Sequence, residues 1–365
     1  MISVKLYQTS SRVNKCVSQQ STKLLQKYAN SSLFNNPSSC FKPFRTKKSM
    51  DIQNLSQAHF KYTDIFTEPF SVKRLKGPIV FTLCTGTCCY VGCSIWSYEN
   101  YINRGNNFLN DIRREFQDSN YRPDEPKWRK DLRKRWNSLH PGDRVYVPIL
   151  FLNGVVFLAW FYPRLHPVLY KYFASNPQSK QYKFVVSLFN ARLPKYLSVP
   201  MLLSTFSHQS PLHIFANMFV LHSFMPSSVE DLGKEQFVGF YLTAGVVASL
   251  LSYVHKILMR KPGLSIGASG AIMAVLAHTC ITHPDTELGI LFVPYVRFSA
   301  EHAIQGIMLL DFLGVLFRWR LFDHAAHLGG ALFGILYSKY GEQTWAHRAP
   351  VVEYWKSLKK QIGGG

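Results

Sequence analysis

The sequence predicts an all-α protein that crosses a membrane several times. Residues 79–98 (IVFTLCTGTCCYVGCSIWSY), 145–163 (VYVPILFLNGVVFLAWFYP) and 236–255 (QFVGFYLTAGVVASLLSYVH) contain no Asp, Glu, Lys or Arg. Crossing about 30 Å of hydrocarbon takes roughly 20 mostly apolar residues, so each window is long enough. The first two windows end in Trp and Tyr, as segments anchored at a membrane interface do. The third observation is charge: 42 Lys and Arg stand against 21 Asp and Glu, concentrated in the N-terminal tail and between apolar runs. No zinc-finger, RRM or KH pattern accompanies them, so they read as membrane flanks facing a lipid bilayer, with no nucleic acid as partner.

Taken in order, residues 1–50 hold nine Lys and Arg, ten serines and no acidic residue, whereas acids are common from Asp51 onward. This is the composition of a mitochondrial presequence, although a plain basic tail has the same charge and only two of the nine are arginines. Residues 51–78 form an N-terminal extension, and 79–98 an additional transmembrane helix. Four of the seven cysteines (Cys84, Cys88, Cys89, Cys93) lie in that helix at helical spacings. They suit either a metal or a small-residue membrane helix; with no His or carboxylate among them and no CxxC, the expectation is a membrane helix without a disulfide. Residues 99–144 carry eleven Lys and Arg and eight Asp and Glu, too polar for a core, and read as a helical linker in water or on the membrane surface.

The remaining spans are expected at about 145–163, 211–228, 236–255, 267–283, 299–317 and 321–339, followed by a tail at 341–365. Residues 164–200 mix aromatics with Lys and Arg and suit the bilayer edge. Pro211 starts the helix at 211–228. The last two spans carry Glu301, His302, Asp311, Asp323, His324 and His327, which are costly in lipid and so should face the bundle interior or a helix end. Seven spans put the termini on opposite sides, with Ser269 opening towards the N-terminal side.

Within LSIGASGAIMAVLAH (264–278), Ser269 stands between Gly267 and Gly270 at the start of an apolar helix. Alone it reads as a packing residue, since small residues let membrane helices approach. A serine hydrolase needs a hydroxyl, a base within hydrogen-bond reach and donors for an oxyanion. AHLGGALFG offers His327, with Gly330 and Gly334 four residues apart for close packing. HIFAN places His213 and Asn217 on one helix face as oxyanion donors. HExxH and GxGD are absent, and Ala271 breaks the G-x-S-x-G of a hydrolase elbow. A metal at Asp323, His324 and His327 would take the base away from Ser269, so no metal or other cofactor is expected.

Each pattern is weak alone, but their order along residues 145–340 is similar to that of the rhomboid intramembrane serine proteases. The extra first span, FSHQSPLHIFANM and DHAAHLGG resemble the mitochondrial, presenilin-associated rhomboid-like branch. The resemblance implies a rhomboid six-helix core preceded by one extra N-terminal transmembrane helix (1+6), in the mitochondrial inner membrane. It implies Ser269 as nucleophile, His327 as general base and an oxyanion hole of His213, Asn217 and the Ser269 N–H. Single-span membrane proteins are the implied substrates. The dyad has no triad acid, so Asp323 is expected to cap a helix. Two departures stand out: Met273 replaces an aromatic residue that supports the histidine in many members, and 164–200 contains no Trp for the family's loop Trp-Arg pair. Two rival classes are an inactive scaffold that grips client helices, which needs none of these four side chains, and a transporter, which would line several spans with charges.

Overall fold

The computed structural model describes residues 69–116, 126–178, 198–290 and 293–363. The presequence at 1–50, most of the 51–78 extension and the greater part of 164–200 lie outside the described residues. The architecture is helical: α1 (Lys76–Phe116), α2 (Lys127–Ser138), α3 (Pro141–Ala159), α4 (His166–Tyr172), α5 (Pro200–Leu203), α6 (Pro211–Leu232), α7 (Lys234–Leu258), α8 (Ser269–Thr282), α9 (Ala300–Leu316), α10 (His324–Ala346) and α11 (Ala349–Gly363). A short antiparallel hairpin, β1 (Glu287–Ile290) and β2 (Val293–Ser299), joins α8 to α9.

Helix boundaries follow local chemistry. α3 begins four residues ahead of the uncharged window because Pro141 takes the first helical position, and the His140 Nδ1 atom accepts from Gly142 N–H at 3.1 Å. α6 runs to Leu232, past the expected 228, and stops where Gly233 turns to φ +76. α10 extends to Ala346, seven residues past 339, and α11 makes the expected tail helical. α1 continues well past Tyr98, so the extra membrane helix and the first part of the charged linker are one element.

Among the described residues, three helical stretches are both long and apolar enough to cross a membrane: Val72–Asn110, Pro141–Ala159 and Lys234–Leu258. α8 is apolar but has 14 residues, about 21 Å at 1.5 Å per residue. It is walled in by α6, α7, α9 and α10, and Ala271 to Cys280 are all buried. Large apolar side chains point outward on the surrounding helices, among them Phe151, Leu158, Phe215, Leu309, Phe312 and Leu336. In water such a collar would be an aggregation hazard; in a bilayer it faces lipid.

Small residues set the helix spacings. A Cβ at Gly142 of α3 would fall 2.7 Å from Pro226 Cα of α6, and one at Gly239 of α7 would fall 3.2 Å from Cys93 Sγ of α1. Cys93 is thus a packing residue, and the five cysteines in the described residues are free thiols. The core on this side of the bundle combines Val145 and Ile149, Leu221 and Met225, Phe237 and Tyr241, and Ala271 and Val275 from α3, α6, α7 and α8. α11 is tied to α1 where Trp355 Nε1 and Lys359 Nζ donate to Glu99 at 2.7 and 2.9 Å.

Candidate active site

Ser269 is the first residue of α8, and its setting is built by the strand-like segment that precedes it. Ser265 pairs its backbone with Ser175, and Gly267 N–H donates to the Ser204 carbonyl at 3.0 Å. Gly267 has φ +128, a conformation that side chains avoid, and a Cβ there would lie 2.8 Å from the His213 ring. The chain therefore turns sharply into the helix at a position only glycine fits. The first helical hydrogen bond is Ile272 N–H to Ala268 O at 3.0 Å, so the N–H groups of Ser269, Gly270 and Ala271 precede the helical ladder and carry the positive end of its dipole.

His327 reaches this serine because α10 lies almost directly on α8. A Cβ at Gly330 would overlap the Gly270 carbonyl, and one at Gly334 would stand 2.9 Å from Ala274 Cα. Two glycines one turn apart thus remove the side chains that would hold the backbones apart. The result is a 2.9 Å separation between Ser269 Oγ and His327 Nε2. Gly270 makes the same allowance towards α7, where a Cβ would be 2.5 Å from that of Ala248. Gly267 and Gly270 thus admit the His213 ring and the neighbouring helix α7 at Ala248.

His213 and Asn217 both lie on this side of α6. Asn217 Nδ2 donates to the His213 carbonyl at 2.8 Å, leaving its second amide hydrogen for another acceptor. The His213 ring packs edge-on against His208, with centroids 4.8 Å apart. His208 is fully buried and its Nε2 accepts from Ala268 N–H at 3.4 Å, so a third imidazole fixes the turn before the serine. Burial, and after it the charge of His213, hold His208 down at about 3, leaving it neutral. The sequence reading assigned His208 no role, although it lies in FSHQSPLHIFANM five positions before His213.

Asp323 caps α10, accepting from Ala326 N–H at 3.2 Å. Its other oxygen accepts from Lys256 Nζ at 3.0 Å and from the hydroxyls of Ser252 and Ser265 at 2.6 Å, and Lys256 Nζ also donates to Ser265 Oγ. Asp323 therefore faces away from His327. The carboxylate that meets His327 is Asp311 of α9, whose Oδ1 lies 3.1 Å from His327 Nδ1 and 2.7 Å from His324 Nδ1. This corrects the expectation of a histidine without a carboxylate partner. Counting outward from residues 317–323, Asp311 falls in the second turn of one helix and His327 in the first turn of the next. That antiparallel match was readable in principle, but only with the helix ends known.

Ligand-type atoms of Asp311, His324 and His327 lie within 4.8 Å of one another. Both imidazoles aim Nδ1 at one carboxylate oxygen at hydrogen-bond distance, closer than two ligands of one zinc ion at 2.0–2.2 Å would stand in tetrahedral geometry for the shorter pair. The cluster is a hydrogen-bonded one. Met273 packs with Ile304 and Ala331 rather than under the histidine, and Phe322 from the connecting loop stands beside the His327 ring, centroids 6.0 Å apart. A small cavity beside Ser269 is lined by Ser204, Thr205, Ser265 and Asp323 among glycines and alanines.

The profile described as "Rhomboid domain" matches residues 198–343. The chain is 42% identical over 307 residues to the mitochondrial presenilin-associated rhomboid-like protein of Rattus norvegicus, covering 83% of this chain and 78% of that protein. The Homo sapiens protein of the same name is 40% identical over 307 residues, covering 83% and 77%. Rhomboid protein 1, mitochondrial, of Saccharomyces cerevisiae is 34% identical over 203 residues, covering 55% and 54%. Relatives of mitochondrial name and the three membrane-length apolar helices together make this a mitochondrial membrane protein. The chain belongs to the rhomboid family, among the mitochondrial presenilin-associated rhomboid-like proteins.

Proposed function

We propose that this chain is an intramembrane serine endopeptidase, a multi-pass protein of the mitochondrial inner membrane that cuts single-span membrane proteins in or beside their transmembrane helix. The observation that carries the proposal is the 2.9 Å contact of Ser269 Oγ with His327 Nε2 at the open N-terminus of α8. His327 Nε2 takes the hydroxyl proton while the serine oxygen bonds the substrate carbonyl carbon and the C=O electron pair moves to oxygen. The oxyanion forms beside the helix N-terminus, with Asn217, His213 and the Ser269 N–H as donors. His327 returns its proton to the leaving amide nitrogen as the C–N bond breaks, and water then releases the acyl group by the same route.

A substrate helix hides its carbonyls in its own hydrogen bonds, so it must unwind locally before attack. The short α8 supports this, because it begins Ser269 within the bundle rather than at the end of a full-length span. Hydroxyls of Ser204, Thr205 and Ser265 beside Ser269 suit a water that hydrolyses the ester. The test is cleavage of a single-span reporter by the full chain in liposomes. Wild type should cut, and Ser269→Ala and His327→Ala should not; an inactive wild type, or a Ser269→Ala variant of equal rate, would refute the proposal.

A further inference from the structure

A serine activated by one histidine needs that histidine in a single tautomer, with its proton on the nitrogen that faces away from the hydroxyl. We propose that Asp311 is the positioning residue that enforces this, so that the chain works through a Ser269–His327–Asp311 relay; the proposal rests on Ser269 and His327 being nucleophile and base.

Asp311 is 5% exposed in α9, a helix otherwise rich in Leu and Ile. A carboxylate there is costly unless its charge is met by donors. Among the described residues its ion-pair partners are two imidazoles, His324 and His327, and no Lys or Arg. The site is shaped for this arrangement. A Cβ at Gly314, one turn along α9, would overlap the His324 ring, so glycine makes the room in which His324 stands. Trp319 and Phe322 pack edge-on against that ring and fix it further.

A carboxylate oxygen only accepts, so each Nδ1 must donate, and His327 presents the lone pair of Nε2 to Ser269. After proton transfer the imidazolium charge lies 3.1 Å from Asp311, which stabilises it without taking the proton. The titratable groups facing His327 are Asp311 of α9, His324 of its own helix and His213 of α6. Asp323 is turned to Lys256 of α7. Because His324 shares Asp311, it draws off part of the carboxylate's effect on His327.

Two variants of the full chain in liposomes test the relay, by reporter cleavage across pH. Asp311→Asn should lower kcat about 10²–10⁴-fold with KM within about twofold. Its acidic limb of kcat/KM should move down, because the imidazolium loses its anion. His324→Leu should keep kcat within about threefold and move the same limb up, because Asp311 then serves His327 alone. A tie between α9 and α10 with no part in the chemistry would leave both limbs where they are, and that result overturns the proposal. If Asp311→Asn does not fold, the His324→Leu limb decides alone: an upward shift supports the relay and an unmoved limb overturns it. Cleavage that persists in Ser269→Ala would instead overturn the protease reading, and the relay with it.

Discussion

Gly330→Ala probes the spacing on which the site depends. The added methyl would overlap the Gly270 carbonyl, whose carbon lies 2.9 Å from the position the Cβ would take. Reaching the ~3.5 Å of a carbon–carbon contact needs a separation of at least ~0.6 Å, and clearing the oxygen needs more. Gly270 follows Ser269 directly, and Gly330 lies one turn after His327, so the movement falls on the 2.9 Å hydrogen bond between them. Lengthened by that amount it reaches about 3.5 Å, where such a bond is lost. A misplacement of about 1 Å can cost about 10²-fold in rate, and overpacking about 1–3 kcal/mol in stability. The assay is reporter cleavage in liposomes beside thermal unfolding of the same preparation. Gly154→Ala serves as a control, since nothing lies within 4 Å of a Cβ there. A Gly330→Ala protein as active as Gly154→Ala would refute the close-packing account of how His327 meets Ser269.

Lys256→Met removes the cation that pairs with Asp323 at 3.0 Å, where both side chains are largely buried. It should destabilise the protein by about 3–5 kcal/mol, read as a lowered thermal midpoint, with Asp323→Asn in the same chain restoring part of the loss. His208 is held at about 3 against the free value of 6.5, so its contribution to stability is complete above pH 6.5 and is lost as pH falls towards 3. His208→Gln should flatten the decline of the thermal midpoint across that window; an unchanged pH dependence would show that His208 does not become charged on unfolding.

The helical class was legible because uncharged windows of membrane length have few other uses, and α3 and α7 lie where those windows do. Ser269 and His327 were legible from their glycines: the spacing in AHLGGALFG permits a contact between helices, and the structure has one at Gly330 and Gly334. Asp311 was visible as a costly charge in an apolar helix, but its partner depends on how two helices line up across the loop at 317–323, which periodicity does not specify. Lys256 looked like a flanking charge at a helix end, whereas it is drawn inward by Asp323 and two serines. The hairpin at β1 and β2 escaped notice because β1 has only four residues and the pairing shifts register between Gly289 and Ile290.

The most direct test of the central claim is to treat the full chain in liposomes with a serine-directed fluorophosphonate and locate the adduct by mass spectrometry. An activated Ser269 predicts the adduct on that residue, with labelling abolished in Ser269→Ala and strongly slowed in His327→Ala. Absence of an adduct in wild type, or its placement on a serine other than Ser269, would contradict the account.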